Sequence, residues 1–426
     1  MKSIRNVSVV VVGGGQAGLS ASFFLCKAGI DHVVLERSQR FHSWKEDRWE
    51  SFCLVTPNWQ CRLPDWPYIG NEPHGYMSKD QLVDYLEGFA KSFDAPLIEG
   101  VRVTKVSKIY DGKFQIETAN DTWIASQVIL ATGSYDQQRK PSFADKLSSR
   151  ILQIGSKNYK SPDDVPEGMC LVVGTGQSGV QMMEDLWLAG RQVSLSVGSA
   201  PRSPRLYRGR DSTDWLYEMG EYSKPIDQQP DPKTTEAKTN HYLSGRNGGH
   251  EIDLRSFALQ GLPLYGTVSK IEDENIFFSS DLEENLDLAD KSYLRICELV
   301  DEYIEKNSLD APPKPTFEKL WRPEYETPYI NAKEKNLTSI IWCTGFTPDY
   351  SWLNLDCLDE RGRPIHKRGV SKQDGLYFLG LNWLHTWGSG RFLSVAEDAE
   401  FVVSKIITRL GHVRSSSARE KSHSHA

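Results

Sequence analysis

A chain of 426 residues with a net charge of −7 and a pI near 5.9 is too acidic to favour a nucleic-acid surface, and no apolar run approaches the ~18–20 residues of a membrane span. Charged residues at 25% and apolar residues at 39% are ordinary for a soluble protein, and the length suggests roughly two or three domains. The seven cysteines are odd in number, scattered and never in C-x-x-C. That pattern suits a reducing cytoplasm and argues against a flavin–disulfide reductase, which needs a second redox couple beside the flavin.

The first strand is expected from Val7 to Val12, where five of six residues are valine, as in a buried parallel strand. It leads directly into a glycine turn and lacks a cleavage pattern, unlike a signal peptide. Gly13, Gly15 and Gly18 form G-x-G-x-x-G. A helix then runs to Ala28, with Gly29 as its cap, and a strand from His32 to Leu35 ends in Glu36. This is a dinucleotide fingerprint in its expected context. Gly13 permits the tight turn, Gly15 the approach of backbone to pyrophosphate, and Gly18 the packing of helix on strand. Glu36 can accept from ribose hydroxyls. Gln16 and Ala17 inside the turn, and Arg37 after the acid, are placed at the same nucleotide.

The Trp- and Arg-rich stretch from Arg37 to Tyr68 shows no sustained periodicity and is expected as a long ordered loop over the cofactor, with Trp44 in contact. Ser78 and Gln81 match a capping box, opening a helix with an apolar stripe of Leu82, Tyr85, Leu86 and Phe89. From Pro96 to Thr122, short alternating segments predict a small antiparallel meander with Asp111-Gly112 as a turn, and Val103 within it is a cofactor candidate. A buried strand, Gln127 to Ala131, then leads into Thr132-Gly133.

About 160 residues after its start, the opening unit repeats. A strand from Leu171 to Val173 precedes Gly174, Gly176 and Gly179, with Gln177 and Ser178 between them. A helix follows to Ala189, then a strand from Gln192 to Val197. No acid ends this strand. Ser199, Arg202, Arg205 and Arg208 follow instead, a pattern that suits a ribose 2′-phosphate and favours NADP over NAD, although a basic surface loop reads the same way. Residues 202–317 are expected to form an insertion with flexible parts, including a strand-like LPLYGTVSKI and a helix from Leu286 to Lys306. A buried strand, Ser339 to Cys343, then leads into Thr344-Gly345-Phe346, mirroring Ala131-Thr132-Gly133. A helix from Val395 to Arg409 and a polar tail close the chain.

The expected fold is α/β, with two Rossmann-like domains of three-layer ββα type. The FAD-binding domain takes residues 1–150 and 337–413, and the NADPH-binding domain takes 151–336. A disordered tail is expected at 414–426. One site ending in a ribose-reading acid and the other in arginines divide the nucleotides as FAD and NADPH, placed so that hydride can pass between them.

In this combination the chain resembles the class B flavin monooxygenases, the flavin-containing and Baeyer–Villiger-type enzymes, with a bacterial NAD(P)/FAD-dependent oxidoreductase subgroup among them. The matching segments are GGGQAG at 13–18, TPNWQCRLPDWP at 56–67, ATG at 131–133, GTGQSG at 174–179 and CTGF at 343–346. The resemblance implies that NADPH reduces FAD, that oxygen adds to give a flavin hydroperoxide, and that one oxygen atom passes to a small molecule, nitrogen being one acceptor. It also implies a reactive-face asparagine, here Asn58, for which turn capping is the plain alternative. One departure stands out. Gly155 occupies the position of the family's linker histidine, which keeps a reductase or oxidase without oxygen transfer in play. A nucleotide-sensing complex subunit, docking through the insertion, is the third reading.

His385, in NWLHTWGSGR, is a second catalytic candidate by its ordinary pKa near ~6.5, with a packing role equally open to it. Arg391 can offset flavin charge or lie on the surface. Trp44, Trp49, Trp59, Trp66, Trp383 and Trp387 can wall a pocket, although a core role suits each one individually. His241, His250 and Asp253 match no common metal spacing, and no metal is expected. The expected partners are a small substrate and oxygen, without nucleic acid or membrane, and a homodimer is left open.

Overall fold

A computed structural model describes residues 3–237 and 239–423, with side chains to residue 411. The valine run belongs to β1 (Ser3–Val12), which enters α1 (Gln16–Lys27) through the glycine turn and returns as β2 (His32–Leu35). Ser78 caps α2 (Lys79–Lys91) with the expected capping box. Then come β3 (Leu97–Ile98), β4 (Val103–Lys108), β5 (Phe114–Thr118) and β6 (Asp121–Leu130). Asp111 and Gly112, at φ 70° and 69°, make the β4–β5 turn. The strand order β4–β5–β6–β1–β2–β3 joins the meander to the parallel core. β6 does the joining. Its first half pairs antiparallel with β5, and its whole length runs parallel to β1, from Ser3↔Asp121 to Val12↔Leu130.

The second unit repeats the plan. It contains β7 (Leu152–Gly155), β8 (Met169–Val173), α3 (Gln177–Leu188), β9 (Val193–Ser196) and β10 (Leu264–Tyr265). Its own meander is β11 (Val268–Glu272), β12 (Asn275–Phe278) and, after α4 (Leu282–Asn307), β13 (Tyr329–Asn331). The strand β14 (Leu337–Trp342) completes a five-stranded parallel sheet ordered β7–β14–β8–β9–β10.

Two expectations shift here. The strand assigned to the first domain from residue 337 lies between β7 and β8 in the second sheet, so the chain re-enters the first domain after Trp342. A buried run ending in Thr-Gly has the same pattern in either domain, and only pairing distinguishes them. The strand-like LPLYGTVSKI of the insertion expected at 202–317 divides at Gly266 into two strands, β10 on the parallel sheet beside β9 and β11 in the meander.

After β15 (Leu376–Phe378), parallel to β6, the chain ends in α5 (Val395–His423), which packs on α1. The helix expected to end at Arg409 runs on to His423, so the backbone of 414–423, expected in a disordered tail, is helical; residues 424–426 and the side chains beyond 411 lie outside the described residues. Among the described residues, no helix is long and apolar enough to cross a membrane.

Candidate functional site between two glycine turns

The first turn is built from backbone that tolerates no side chain. At Gly13, φ is 111°, and a Cβ would lie 2.4 Å from the Ala131 carbonyl oxygen. A Cβ on Gly18 would lie 1.9 Å from the Gly13 oxygen, so α1 can sit on β1 only with glycine there. Gly15 is different. A Cβ there would meet nothing within 4 Å, leaving open space at the start of α1. Glu36 is buried at the end of β2. Its Oε2 accepts from the Gly14 N–H at 2.6 Å and its Oε1 from the Ser38 N–H at 2.9 Å. The carboxylate is therefore fixed in direction, and its remaining lone pairs are available to a ribose.

The second turn repeats this geometry. At Gly174, φ is 104°, and a Cβ would lie 2.7 Å from the Cys343 oxygen; one on Gly179 would lie 1.9 Å from the Gly174 oxygen. Gly176 is open, with nothing nearer than 3.9 Å. Each turn is braced alike from the neighbouring strand: Ala131 N–H donates to Val12 O at 2.8 Å, and Cys343 N–H to Val173 O at 2.9 Å. The two Thr-Gly segments thus occupy equivalent places.

Both turns open on a single cavity of about 530 Å³. Gly13, Gly15, Gln16 and Ala17 line it from the first turn, with Glu36, Arg37, Trp44 and Val103 beyond them. Ala131, Thr132 and Gly133 line it from the end of β6. From the second unit come Gly176, Gln177 and Ser178, then Gly345 and Phe346. Gly18 and Gly179, which pack helix on strand, lie off the lining, as does the turn glycine Gly174. Thr344 turns its hydroxyl to the Arg139 carbonyl, and Ser199 is exposed on the loop after β9.

The arginines after β9 require a correction. Arg202 is buried and paired with Asp253 and Asp290, each at 2.9 Å, with Tyr293 and Phe317 against its guanidinium. Arg205 is buried against Asp211 at 2.9 Å and donates to Tyr76 and the Val55 carbonyl. Arg208 is paired with Asp301 at 2.7 Å. Carboxylates hold all three, distant in sequence for Arg202 and Arg208 and six residues on for Arg205, so position after the strand does not make them phosphate readers. The segment around Arg205 is instead bolted to the first domain's loop: Trp59 Nε1 donates to Asp214 at 2.7 Å, and Tyr76 donates to Asp211.

Asn58 and His385 also lie off the cavity. Asn58 is buried. Its Nδ2 donates to Glu72 O at 3.0 Å, and its Oδ1 accepts from Met77 N–H at 2.8 Å, so both ends of the carboxamide cap the 72–77 loop. His385 gives its backbone N–H to Ser389 Oγ at 3.0 Å and its carbonyl to Ile226 N–H at 2.7 Å. Burial, helped by the charge of Arg368, lowers its imidazole pKa. Gly155 ends β7, where a Cβ would collide with the Gln138 carboxamide at 1.8 Å. Gln138 itself donates to the Trp342 carbonyl beside Gly155.

Of the tryptophans, Trp44 and Trp49 line the cavity, whereas Trp387 stacks on Tyr222 with ring centroids 3.8 Å apart. His250 pairs with Glu184, His241 with Ser292 and Asp253 with Arg202, so these three serve separate partners.

Gln60 and Arg48 are among the cavity residues that the sequence did not flag. Gln60 is 1% exposed, and its Nε2 has no partner among the described residues. Arg48 lies over the rings of Trp44 and Phe52, at 4.8 and 5.6 Å from their centroids. Gln60 stands two residues past Asn58 in the quoted motif, but nothing local says which amide turns inward. Arg391 does reach the cavity, held by Asn240 Oδ1 at 2.6 Å.

Two such turns on one cavity make a fold of two dinucleotide-type domains, and comparison with known proteins finds the same fold. Residues 10–217 match the family described as pyridine nucleotide-disulphide oxidoreductase. The flavin-containing monooxygenase from Stenotrophomonas maltophilia shares the fold at a TM-score of 0.65, with 19% identity over 95% of this chain and 99% of that one. By sequence, the chain is 29% identical to a CzcO-like oxidoreductase of Geobacillus kaustophilus (strain HTA426), over 94% of this chain and 98% of the relative. It is 31% identical to the indole-3-pyruvate monooxygenase YUCCA6 of Arabidopsis thaliana, over 47% of this chain and 51% of that protein. The resemblance to flavin monooxygenases read from the motifs is thus matched by similarity in sequence over about half of the chain and by a shared fold.

Proposed function

We propose that the chain is an FAD-dependent, NADPH-consuming monooxygenase of small molecules. The observation that carries this reading is the shared cavity: two glycine turns of the same geometry face one space, as direct hydride transfer between two bound nucleotides requires. The residues fit such ligands. Gly15 and Gly176 leave open space at the N-termini of α1 and α3, where pyrophosphates are favoured by free backbone N–H groups. Bound FAD would supply hydride acceptance from NADPH and electron transfer to oxygen.

The chain's own residues bind, orient and enclose. Glu36 is aimed at a ribose. Gln16 Oε1 accepts from Trp44 Nε1 at 3.0 Å and holds the indole as a wall. Arg37–Asp136 at 2.7 Å and Lys157–Asp47 at 3.3 Å fix charged groups along the rim. With Arg202 committed to two carboxylates, preference for the 2′-phosphate is not assigned to it. The contacts of the 202–250 segment with the first domain leave it less free to act as an independent docking surface, which counts against the complex-subunit reading.

A reductase or oxidase is the second reading, favoured by Gly155 at the position of the family's linker histidine, with the Gln138 carboxamide packed against it. The two separate under ¹⁸O₂. Purified holoenzyme is given NADPH and a panel of amines, thioethers and ketones, each with and without a carboxylate. A monooxygenase places one ¹⁸O atom in a product for each coupled NADPH. NADPH oxidation that yields hydrogen peroxide and no labelled product from any panel member contradicts the proposal and establishes the second reading.

A further inference from the structure

The charged side chains lining the cavity do not balance locally. Its carboxylates are engaged: Glu36 by two backbone N–H groups, Asp47 by Lys157, Asp136 by Arg37, and Asp349 by the Ser351 N–H at 2.9 Å. Arg48 and Arg391 are not paired in this way. Among the described residues neither has a carboxylate within ion-pair distance. Arg48 donates to the Asp47 carbonyl at 3.2 Å, and Arg391 donates to Asn240 and to the Trp387 carbonyl.

The two guanidinium groups belong to one corner. Arg48 lies on the Trp44 and Phe52 rings, and the Trp44 ring packs against Phe392 with centroids 5.4 Å apart. Arg391 immediately precedes Phe392. Gln60 is tied to the same place, because Arg62, two residues on, donates its N–H to the Phe392 carbonyl at 3.3 Å. Tyr135, also on the cavity, is within electrostatic reach of both arginines. Burial draws both guanidinium pKa values down, outweighing the opposing pull of Asp47 on Arg48 and of Tyr135 on both.

Three hydrogen-bond donors, two of them cationic and without a salt bridge among the described residues, therefore lie along an aromatic wall. The Gln60 amide is the clearest sign, since a buried donor without a partner is costly unless a ligand satisfies it. We propose that Arg48, Gln60 and Arg391 form an anion subsite that holds the carboxylate of the substrate, so that the substrate class is small aromatic or apolar acids. This rests on the cavity's being the substrate site of the proposed oxygenase. The flavin's pyrimidine edge offers the same acceptor chemistry, and the experiment separates the two sources.

The holoenzyme is titrated calorimetrically with phenylacetate and with phenylacetamide, probes of one shape that differ in charge. Charge-assisted hydrogen bonds of about 1.5–3 kcal/mol predict that the acid binds on the order of 10–100-fold more tightly than the amide. Arg48→Met and Arg391→Met should each cut that preference at least severalfold, and Gln60→Leu should weaken the acid more than the amide. Arg62→Met, an exposed arginine stacked on Trp59, should leave the acid-to-amide ratio at its starting value. Absence of any preference for the acid in the parent enzyme overturns the proposal. So does a lowered FAD content in the arginine variants with the ratio unmoved, which assigns the donors to the flavin. The titration needs no oxygen transfer, so failure of the oxygenase reading and failure of this subsite are seen separately.

Discussion

The two glycine turns are alike in backbone, and they differ in the side chains that follow. Gly13 and Gly174 share a left-handed φ, Gly18 and Gly179 the same 1.9 Å conflict with any Cβ, and Ala131 and Cys343 the same brace. After β2, Glu36 turns back onto its own turn. After β9, the arginines turn away, into carboxylates of the inserted segment. Backbone cradles are thus set by local steric rules, whereas the groups that read a ligand are set by which distant partners reach them first.

The largest predicted effect breaks the comparison at Arg202. Removing one partner of a buried ion cluster costs about 3–5 kcal/mol, because Asp253 loses its paired cation and Asp290 keeps only Arg255. Arg202→Ala should lower the unfolding free energy by that amount while leaving the NADPH-to-NADH preference unchanged. A lost preference at unchanged stability would restore the phosphate role.

Next comes Asp398, in the first turn of α5, whose carboxyl burial pushes up to about 6 against an unfolded value of ~3.9. The native state then holds the proton over a range where the unfolded chain has lost it. Stability is unaffected by this group below about pH 4 and falls as pH rises through 6, by roughly 2–3 kcal/mol in total. Asp398→Asn should therefore stabilise the protein at pH 8 and give no gain at pH 4. Equal gains at both pH values would show that charge is not the cause.

Within the second turn, Gly179→Ala forces a methyl against the Gly174 carbonyl and should cost about 1–3 kcal/mol. Gly176→Ala has room in the protein and should weaken NADPH binding with little loss of stability, a contrast that thermal melts and NADPH titrations of both variants check. The smallest effect is at Asn58, where Asn58→Ala removes two loop-capping bonds and should cost about 1–2 kcal/mol. Denaturant melts and flavin reduction rates distinguish this from a catalytic role: a reduction rate that collapses at near-native stability would return Asn58 to the reaction.

The same division explains what was legible in the sequence. The glycine turns, the Ser78–Gln81 capping box and the Asp111-Gly112 turn all follow from short-range sterics and hydrogen bonding, and each stands where its residues put it. β14 was placed in the wrong domain because one apolar run ending in Thr-Gly serves either sheet equally well. Asn58 and Gln60 are separated by a single residue, and only the tertiary course of the 72–77 loop decides that the first is consumed and the second faces the cavity. His385 looked reactive by residue type, but Ser389 and Ile226 hold its backbone in a packed corner.

The central claim is that both turns deliver their nucleotides into one space, so that hydride crosses directly. Anaerobic stopped-flow mixing of FAD-loaded protein with NADPH, unlabelled and carrying deuterium in turn at each face of the nicotinamide C4, tests it. The account predicts flavin bleaching with a primary isotope effect for one of the two labelled faces. Absence of bleaching, or bleaching with no isotope effect from either face under conditions where chemistry limits the rate, would contradict it.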